Sequence, residues 1–296
     1  MENKMLQNLA KCADKYMSLE RDCPITWCGG CGNYGIQHAL KRALALEGMG
    51  RRDFAIFFDV GCCGNGADKL DAYTFHGLHG RTLPVAAGAA IVNPRIKVIG
   101  EAGDGATFSE GVNHLVHAVR NDYPMMFIMH NNENYGLTTG QASALTRLGV
   151  KMNSSPDGVV IPPLHAVEMV LSLSPSFVAR AYSGWVDHMT EVFREGLRHK
   201  GFSFIEVFQA CPTYNRTTPE EWYEERVKDV SQLKNYKEED LDTARKLARD
   251  IDKDIYVGVL YRDRSRSDFI EVQPNRAGIK TSAVEEVKHY DIKDLY

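Results

Sequence analysis

Residues 103–136, GDGATFSEGVNHLVHAVRNDYPMMFIMHNNENYG, constrain this chain more than any other stretch, because an apolar segment is bracketed there by two polar loops. Ahead of it, RIKVIG at 95–100 is rich in β-branched residues and predicts a strand. Phe108, Val112, Leu115, Val116 and Val119 then recur at helical spacing, and Met125 to His130 read as a second strand. Strands joined through a helix pair in parallel, so the loops that follow them, 103–106 and 131–134, open on the same sheet edge, where Asp104 and Asn132 converge. Gly103 and Gly105 let the backbone approach a ligand, and the helix N-terminus beyond them favours a phosphate. An Asp carboxylate, an Asn amide oxygen and a backbone carbonyl are hard oxygen ligands suited to Mg²⁺, which fills its remaining positions with water and phosphate. The stretch therefore predicts a diphosphate held through magnesium. Taken singly, GDG reads equally well as a tight turn, and Asn-Asn as a cap or loop.

The cysteines form the second pattern. There are seven, an odd number, in a chain of 296 residues that is no small secreted domain, and such spacing speaks for metal or redox chemistry in a reducing compartment. Cys28-Gly-Gly-Cys31 lies in a loop ahead of a helix bearing Ile36, Ala39, Leu40, Ala43 and Leu44; the pair alone is half a zinc site, a redox dithiol or half an iron–sulfur site. The strand DFAIFFDV at 53–60 ends on Gly61, Cys62 and Cys63, and SFIEVFQ at 203–209 ends just before Cys211. Strand C-termini form the ligand edge of a doubly wound sheet, so Cys62 and Cys211 fall on the edge of Asp104 and Asn132. One such cysteine is ordinarily a small buried hydrophobe. Cys12 and Cys23 lie outside any pair and read as ordinary buried or surface thiols.

Further strands are expected at 177–182 and 255–261, and helices over 84–93, 164–171 and 186–197. Leu6, Leu9, Ala13, Tyr16 and Met17 mark a short N-terminal helix, and 135–158 is irregular, a length of loop that is ordinarily functional or interfacial. The fold expected is α/β with a doubly wound, mostly parallel sheet over 1–216. A charged helical extension with one strand, 217–296, packs on that domain or on a partner. A net charge of −4 and a pI near 6.2 give no electrostatic case for nucleic acid. No apolar run is long enough for a membrane span and the N-terminus is too polar for a secretory signal, so a cytoplasmic protein is expected.

Beyond GDG and Asn-Asn, the segments WCGGCGNYG (27–35), LHGRTLPVAAG (78–88), YGLTTGQASALT (135–146) and ACPTYN (210–215) resemble, in order, those of the β subunits of 2-oxoacid:ferredoxin oxidoreductases. The resemblance runs from about Pro24 to Asn215. It implies the thiamine diphosphate-binding fold, with Asp104 and Asn132 as side-chain ligands of Mg²⁺ and Asn134 as a main-chain ligand. It also implies a four-iron four-sulfur cluster on Cys28, Cys31, Cys62 and Cys211, with Cys63 the alternative to Cys62 if the loop is shifted by one. His79, in the LHGR loop, becomes the candidate catalytic and cofactor-binding group, and Asn65 and Leu137 line the substrate pocket. One departure stands out: members commonly read GDGD, and here Ala106 occupies the fourth position.

The activity implied is coenzyme A-dependent oxidative decarboxylation of a 2-oxoacid (2-oxoglutarate, pyruvate or both, with broad specificity open), with electrons leaving through the cluster to ferredoxin; run backwards, the reaction would fix carbon dioxide. Only the diphosphate half of a thiamine site is present, so an α subunit is expected in a doubled αβ unit. Two other readings compete: a non-redox thiamine diphosphate decarboxylase, which leaves the thiols without a task, and a zinc-stabilised nucleotide-binding module, which needs no diphosphate anchor.

Overall fold

The structure, a computed structural model, describes residues 12–24, 26–249, 251–279, 281–289 and 293. Its strands are β1 (Phe54–Phe58), β2 (Tyr73–His76), β3 (Lys97–Gly103), β4 (Met125–Asn131), β5 (Asn134–Tyr135), β6 (Gln141–Ala142), β7 (Phe177–Tyr182), β8 (Ser203–Phe208), β9 (Val227–Asp229) and β10 (Ile255–Arg262). Eight of them form one sheet in the order β2-β1-β3-β4-β8-β7-β10-β9, while β5 and β6 make a small antiparallel pair. The pairings from β2 through β7 are all parallel, and β10 then joins β7 antiparallel.

The reason MMFIMHN reads as an unbroken apolar run is visible in its packing: every residue of β4 is buried, because helices cover both sheet faces. Met125, Phe127 and Met129 join a core with Leu83 and Ala86 of helix Thr82–Val92, Leu115 and Val119 of helix Val112–Asn121, and Val167 and Val170 of helix Ala166–Leu171. Met126 and Ile128, pointing the other way, pack with Ile36, Leu40 and Leu44 of helix Asn33–Leu46 and with Met189 and Phe193 of helix Val186–Arg198. Burying one such large side chain fully contributes roughly 1.5–3 kcal/mol. The central strands are thus locked in register, and their C-terminal ends present Asp59, Asp104, Asn132, Ser183 and Gln209 along one edge.

Several details differ from the sequence expectations. The helix after GDG does not start as an α-helix: residues Gly105–Glu110 form a wide π-turn, and the α-helix begins at Val112. Gly111 marks the break, since a Cβ there would stand 2.8 Å from the carbonyl oxygens of both Ala106 and Gly80. The edge strand β2 has no counterpart among the expected strands because it is mostly exposed and carries no apolar run. The segment after 217 carries two strands rather than one, β9 and β10, and both extend the main sheet. Within the span read as irregular, 135–158, β6 pairs with β5. Of the expected N-terminal helix, residues 12–18 are helical, and Leu6 and Leu9 lie outside the described residues. No described helix is long and apolar enough to cross a membrane.

Candidate active site

Asp104 leaves β3 1% exposed, with Ser143 Oγ and the Asn132 backbone N–H donating to its carboxylate. Burial raises its pKa to about 7; the serine and the backbone N–H groups pull the other way, and the nearby Glu133 carboxylate adds to the rise. Asp104 and Asn132 are therefore in direct contact, although they leave different strands. The Asn132 turn is tight: Asn132 Oδ1 accepts from Asn134 N–H at 3.1 Å, and Asn134 Nδ2 donates to the Asn132 carbonyl at 2.8 Å. Asn215 Nδ2 donates to that same carbonyl at 3.1 Å, and Glu133 between the two asparagines takes a left-handed φ of 57°.

A cavity of about 130 Å³ opens over this turn, lined by Gly103, Asp104, Gly105, Asn132, Asn134, Cys62, His79 and Leu137 among others. A Cβ on Gly103 would meet nothing within 4 Å, so that backbone is open to a ligand. At Gly105 the close approach is made instead by the Tyr135 ring, 2.4 Å from where a Cβ would lie. His79 stands with its ring edge-on to Tyr135, centroids 5.8 Å apart. Its loop is held from below by Asp59, a buried carboxylate that accepts from Gly80 N–H and Thr82 Oγ1, each at 2.9 Å, at the start of helix Thr82–Val92.

The thiols sit against the same turn. Cys28 and Cys31 lie in a loop whose Gly32 is pressed onto the ends of β7 and β8: a Cβ there would stand 2.5 Å from Gln209 Cβ and 2.6 Å from Ser183 Oγ. Trp27 Nε1 donates to the Cys62 carbonyl at 2.7 Å, tying this loop to the end of β1. Burial raises the Cys62 pKa to about 12, with Cys31, Cys211 and Cys28 adding to the rise; Cys31 goes to about 11, again chiefly by burial, and feels Cys211 and Cys28. The four thiols thus share one neighbourhood. Cys211 Sγ contacts Asn134 Oδ1 at 3.9 Å, and a Cβ on Gly136 would lie 3.2 Å from Cys62 Sγ. Cys63 is buried in a different direction, toward Glu101 and Asp59. Among the described residues, no group of three or more His, Cys, Asp or Glu is placed to hold a single metal ion.

One predicted pocket residue is not brought to the cavity. Asn65 is not among its lining residues, because 63–69 coil into a 3₁₀ helix with Gly64 packed on Asp59 and His76 and Gly66 on Phe58. Conversely, His130 and Gln209 line the cavity, although no sequence motif points to them. His130, 3% exposed, bridges Asn33 Oδ1 at 2.9 Å and Glu101 Oε2 at 3.0 Å, and Gln209 Oε1 is buried with no hydrogen-bond partner among the described residues. His130 sits inside an apolar run and its partners come from other elements, so only its place two residues before Asn132 hints at it.

Comparison with known proteins agrees with this geometry. Residues 59–207 match the family described as thiamine pyrophosphate enzyme, C-terminal TPP binding domain, and residues 211–277 match the family described as the C-terminal part of the pyruvate ferredoxin oxidoreductase beta subunit. The chain is 39% identical over 203 residues to the 2-oxoacid:ferredoxin oxidoreductase subunit beta of Saccharolobus solfataricus, covering 68% of this chain and 67% of the relative. It is 34% identical over 250 residues to the protein of the same name from a Sulfolobus species, covering 80% and 81%. A solved structure, the 2-oxoglutarate:ferredoxin oxidoreductase from Magnetococcus marinus with 2-oxoglutarate, coenzyme A and succinyl-CoA bound, superposes with a TM-score of 0.85 at 30% identity over 95% of this chain and 94% of that chain. With its diphosphate-type turn, its thiols on the same edge and these relatives, the chain belongs to the β subunits of the 2-oxoacid:ferredoxin oxidoreductases.

Proposed function

We propose that this chain holds the diphosphate of thiamine diphosphate through Mg²⁺ and carries a four-iron four-sulfur cluster beside it. In this reading it acts with an α subunit, in a cytoplasmic α₂β₂ enzyme, in the coenzyme A-dependent oxidative decarboxylation of a 2-oxoacid with ferredoxin as electron acceptor. The observation that carries the reading is the contact between the two halves of the site: Cys211 touches Asn134, and Cys62 lies against Gly136, so the thiols and the diphosphate turn share one wall.

The donor sets fit both groups. A carboxylate as buried as Asp104, with another acid rather than a base beside it, calls for a cation, and the Asn132 amide oxygen and Asn134 carbonyl complete a hard-oxygen set for Mg²⁺. Ala106, where a second acid is common, leaves Asp104 in place. The four thiols act on one another electrostatically, and four cysteine thiolates are the usual ligand set of a four-iron four-sulfur cluster. Cys62, not Cys63, faces the other three.

When bound, thiamine diphosphate supplies the electron sink for decarboxylation and the cluster accepts the electrons one at a time. The chain's own residues position that chemistry. Ser143 and the Asn132 N–H orient Asp104, Asp59 fixes the loop of His79, and His79 can donate a hydrogen bond to the diphosphate or the reacting group from the cavity wall. No Lys or Arg is among the described residues lining the cavity, and in this reading the α subunit supplies most of the recognition of the substrate carboxylate. Leu137 gives the pocket an apolar wall, and 2-oxoglutarate, bound by the Magnetococcus enzyme, is the substrate we favour over pyruvate.

The test is an anaerobic assay of the chain purified with its partner, following reduction of a low-potential dye with each 2-oxoacid. Reduction that needs both 2-oxoglutarate and coenzyme A supports the reading. Carbon dioxide release without dye reduction would make the protein a non-redox decarboxylase.

A further inference from the structure

Glu133, between the two asparagines of the diphosphate turn, carries a left-handed φ of 57°. Asp122 and Asn235 take the same region elsewhere in the chain, where short polar side chains compensate locally; a glutamate has no such compensation, so its conformation persists only where the surroundings over-determine it. Every polar group of Glu133 is accordingly held. Its backbone N–H donates to Asn131 Oδ1 at 3.2 Å, its carbonyl accepts from Thr146 Oγ1 at 2.6 Å, and both carboxylate oxygens accept from Arg147 Nε, at 2.9 and 3.0 Å. The side chain is buried throughout.

Arg147 is itself braced. Its Nη1 pairs with Asp252, and its guanidinium lies 4.2 Å from the centre of the Trp222 ring, on helix Glu220–Glu224. Asn215, which donates to the Asn132 carbonyl at 3.1 Å, comes like Trp222 and Asp252 from the chain beyond β8. Packing alone does not explain a strained residue gripped at all of its polar groups, because a glycine there would take the same φ with neither strain nor clamp. We infer that Arg147 is a positioning residue for the cofactor turn: by clamping Glu133 it fixes the backbone that presents Asn132 and Asn134, and it braces that backbone on the chain beyond β8. The inference rests on the reading of Asn132 and Asn134 as Mg²⁺ ligands.

Such a clamp suits Mg²⁺ in particular. Mg²⁺ demands near-ideal octahedral geometry, whereas Ca²⁺ accepts longer and more irregular coordination. Loosening the turn therefore harms Mg²⁺ more than Ca²⁺. A loss of charge or of overall stability acts on both divalent ions alike, so their ratio reports positioning and not mere structural support.

The test is retention of thiamine diphosphate by the complete complex with its partner subunit, followed by equilibrium dialysis with Mg²⁺ alone and with Ca²⁺ alone. Arg147→Gln should weaken Mg²⁺-supported retention about tenfold, the low end for residues that support a metal ligand, and Ca²⁺-supported retention by less, so that the preference for Mg²⁺ falls. Glu133→Gly takes a left-handed φ without strain, which spares the fold, and removes the other half of the clamp; it should lower the preference too. A parent complex that retains thiamine diphosphate with Mg²⁺, and whose preference either variant keeps in full, would overturn the inference and leave the cofactor reading standing. No retention by the parent with either ion would sink that reading, and the clamp with it.

Discussion

Two buried aspartates at opposite edges of the sheet invite comparison. Asp104 follows β3 at the C-terminal edge and Asp122 ends helix Val112–Asn121 at the other, and each is 1% exposed and accepts a hydrogen bond from a serine, Ser143 or Ser176. Burial raises the pKa of both. Asp122, however, also accepts from Phe202 N–H at 2.9 Å and has the Arg266 guanidinium 3.7 Å away, which offsets part of the rise. Asp104 has Glu133 in that role, and its pKa climbs to about 7. The lower edge supplies its own countercharge, as a structural carboxylate must. The upper edge places the Glu133 carboxylate beside Asp104, with no cation among the described groups that chiefly act on it, an arrangement that suits the ligand role proposed for Asp104.

The largest effect should come from Asp104→Asn. On the proposed ligand role for Asp104, this should reduce Mg²⁺-dependent retention of thiamine diphosphate by more than about 100-fold, beyond the 10–100-fold typical of residues that merely support a ligand; equilibrium dialysis of the cofactor would show it. The same substitution should stabilise the protein without metal. The pKa of Asp104 is raised from 3.8 to about 7 in the folded state, so folding retains a proton there and stability falls as pH rises through that window. At pH 8 without Mg²⁺, thermal melting of Asp104→Asn should lie above that of the parent. An equal or lower melting temperature, with the fold intact, would break the comparison.

Cys211→Ser should lose cluster iron and dye reduction while retaining thiamine diphosphate, since Cys211 reaches Asn134 only by a weak contact. Undiminished iron by elemental analysis would remove it from the ligand set. At the lower edge, Asp122→Ala should cost about 1–3 kcal/mol in denaturant unfolding, because the Ser176 hydroxyl and Phe202 N–H lose a buried acceptor, and cofactor retention should not change. Arg266→Gln should cost about 1 kcal/mol or more, since Asp122 is buried and Arg266 also donates to the Val119 and Arg120 carbonyls. Its sharper consequence is to make Asp122 resemble Asp104, so that stability falls more steeply with rising pH than in the parent.

What could be read in the sequence follows from range. β3, β4 and the helix between them carry their own period, and GDG and Asn-Asn sit at strand ends whose parallel pairing fixes where they point. The cysteines could be placed on that edge for the same reason. Asp59, Glu101 and His130 could not be found this way: their roles come from partners on other elements, such as Gly80 N–H for Asp59 and Asn33 for His130. Asn65, near the right loop in sequence, lies in a 3₁₀ turn and is not among the described residues lining this cavity, a placement set by the packing of Gly64 and Gly66. β2 escaped because an edge strand exposed over most of its length has no buried face to impose a pattern.

The central claim is that the thiols at the upper edge hold an iron–sulfur cluster coupled to thiamine chemistry at Asp104. The most direct measurement is an anaerobic absorption spectrum, with iron, zinc and acid-labile sulfide analysis, of this chain co-purified with its partner. The account predicts iron with sulfide and a broad visible band that bleaches when a 2-oxoacid, coenzyme A and thiamine diphosphate are added. Zinc without sulfide, or a band indifferent to the 2-oxoacid, would contradict it.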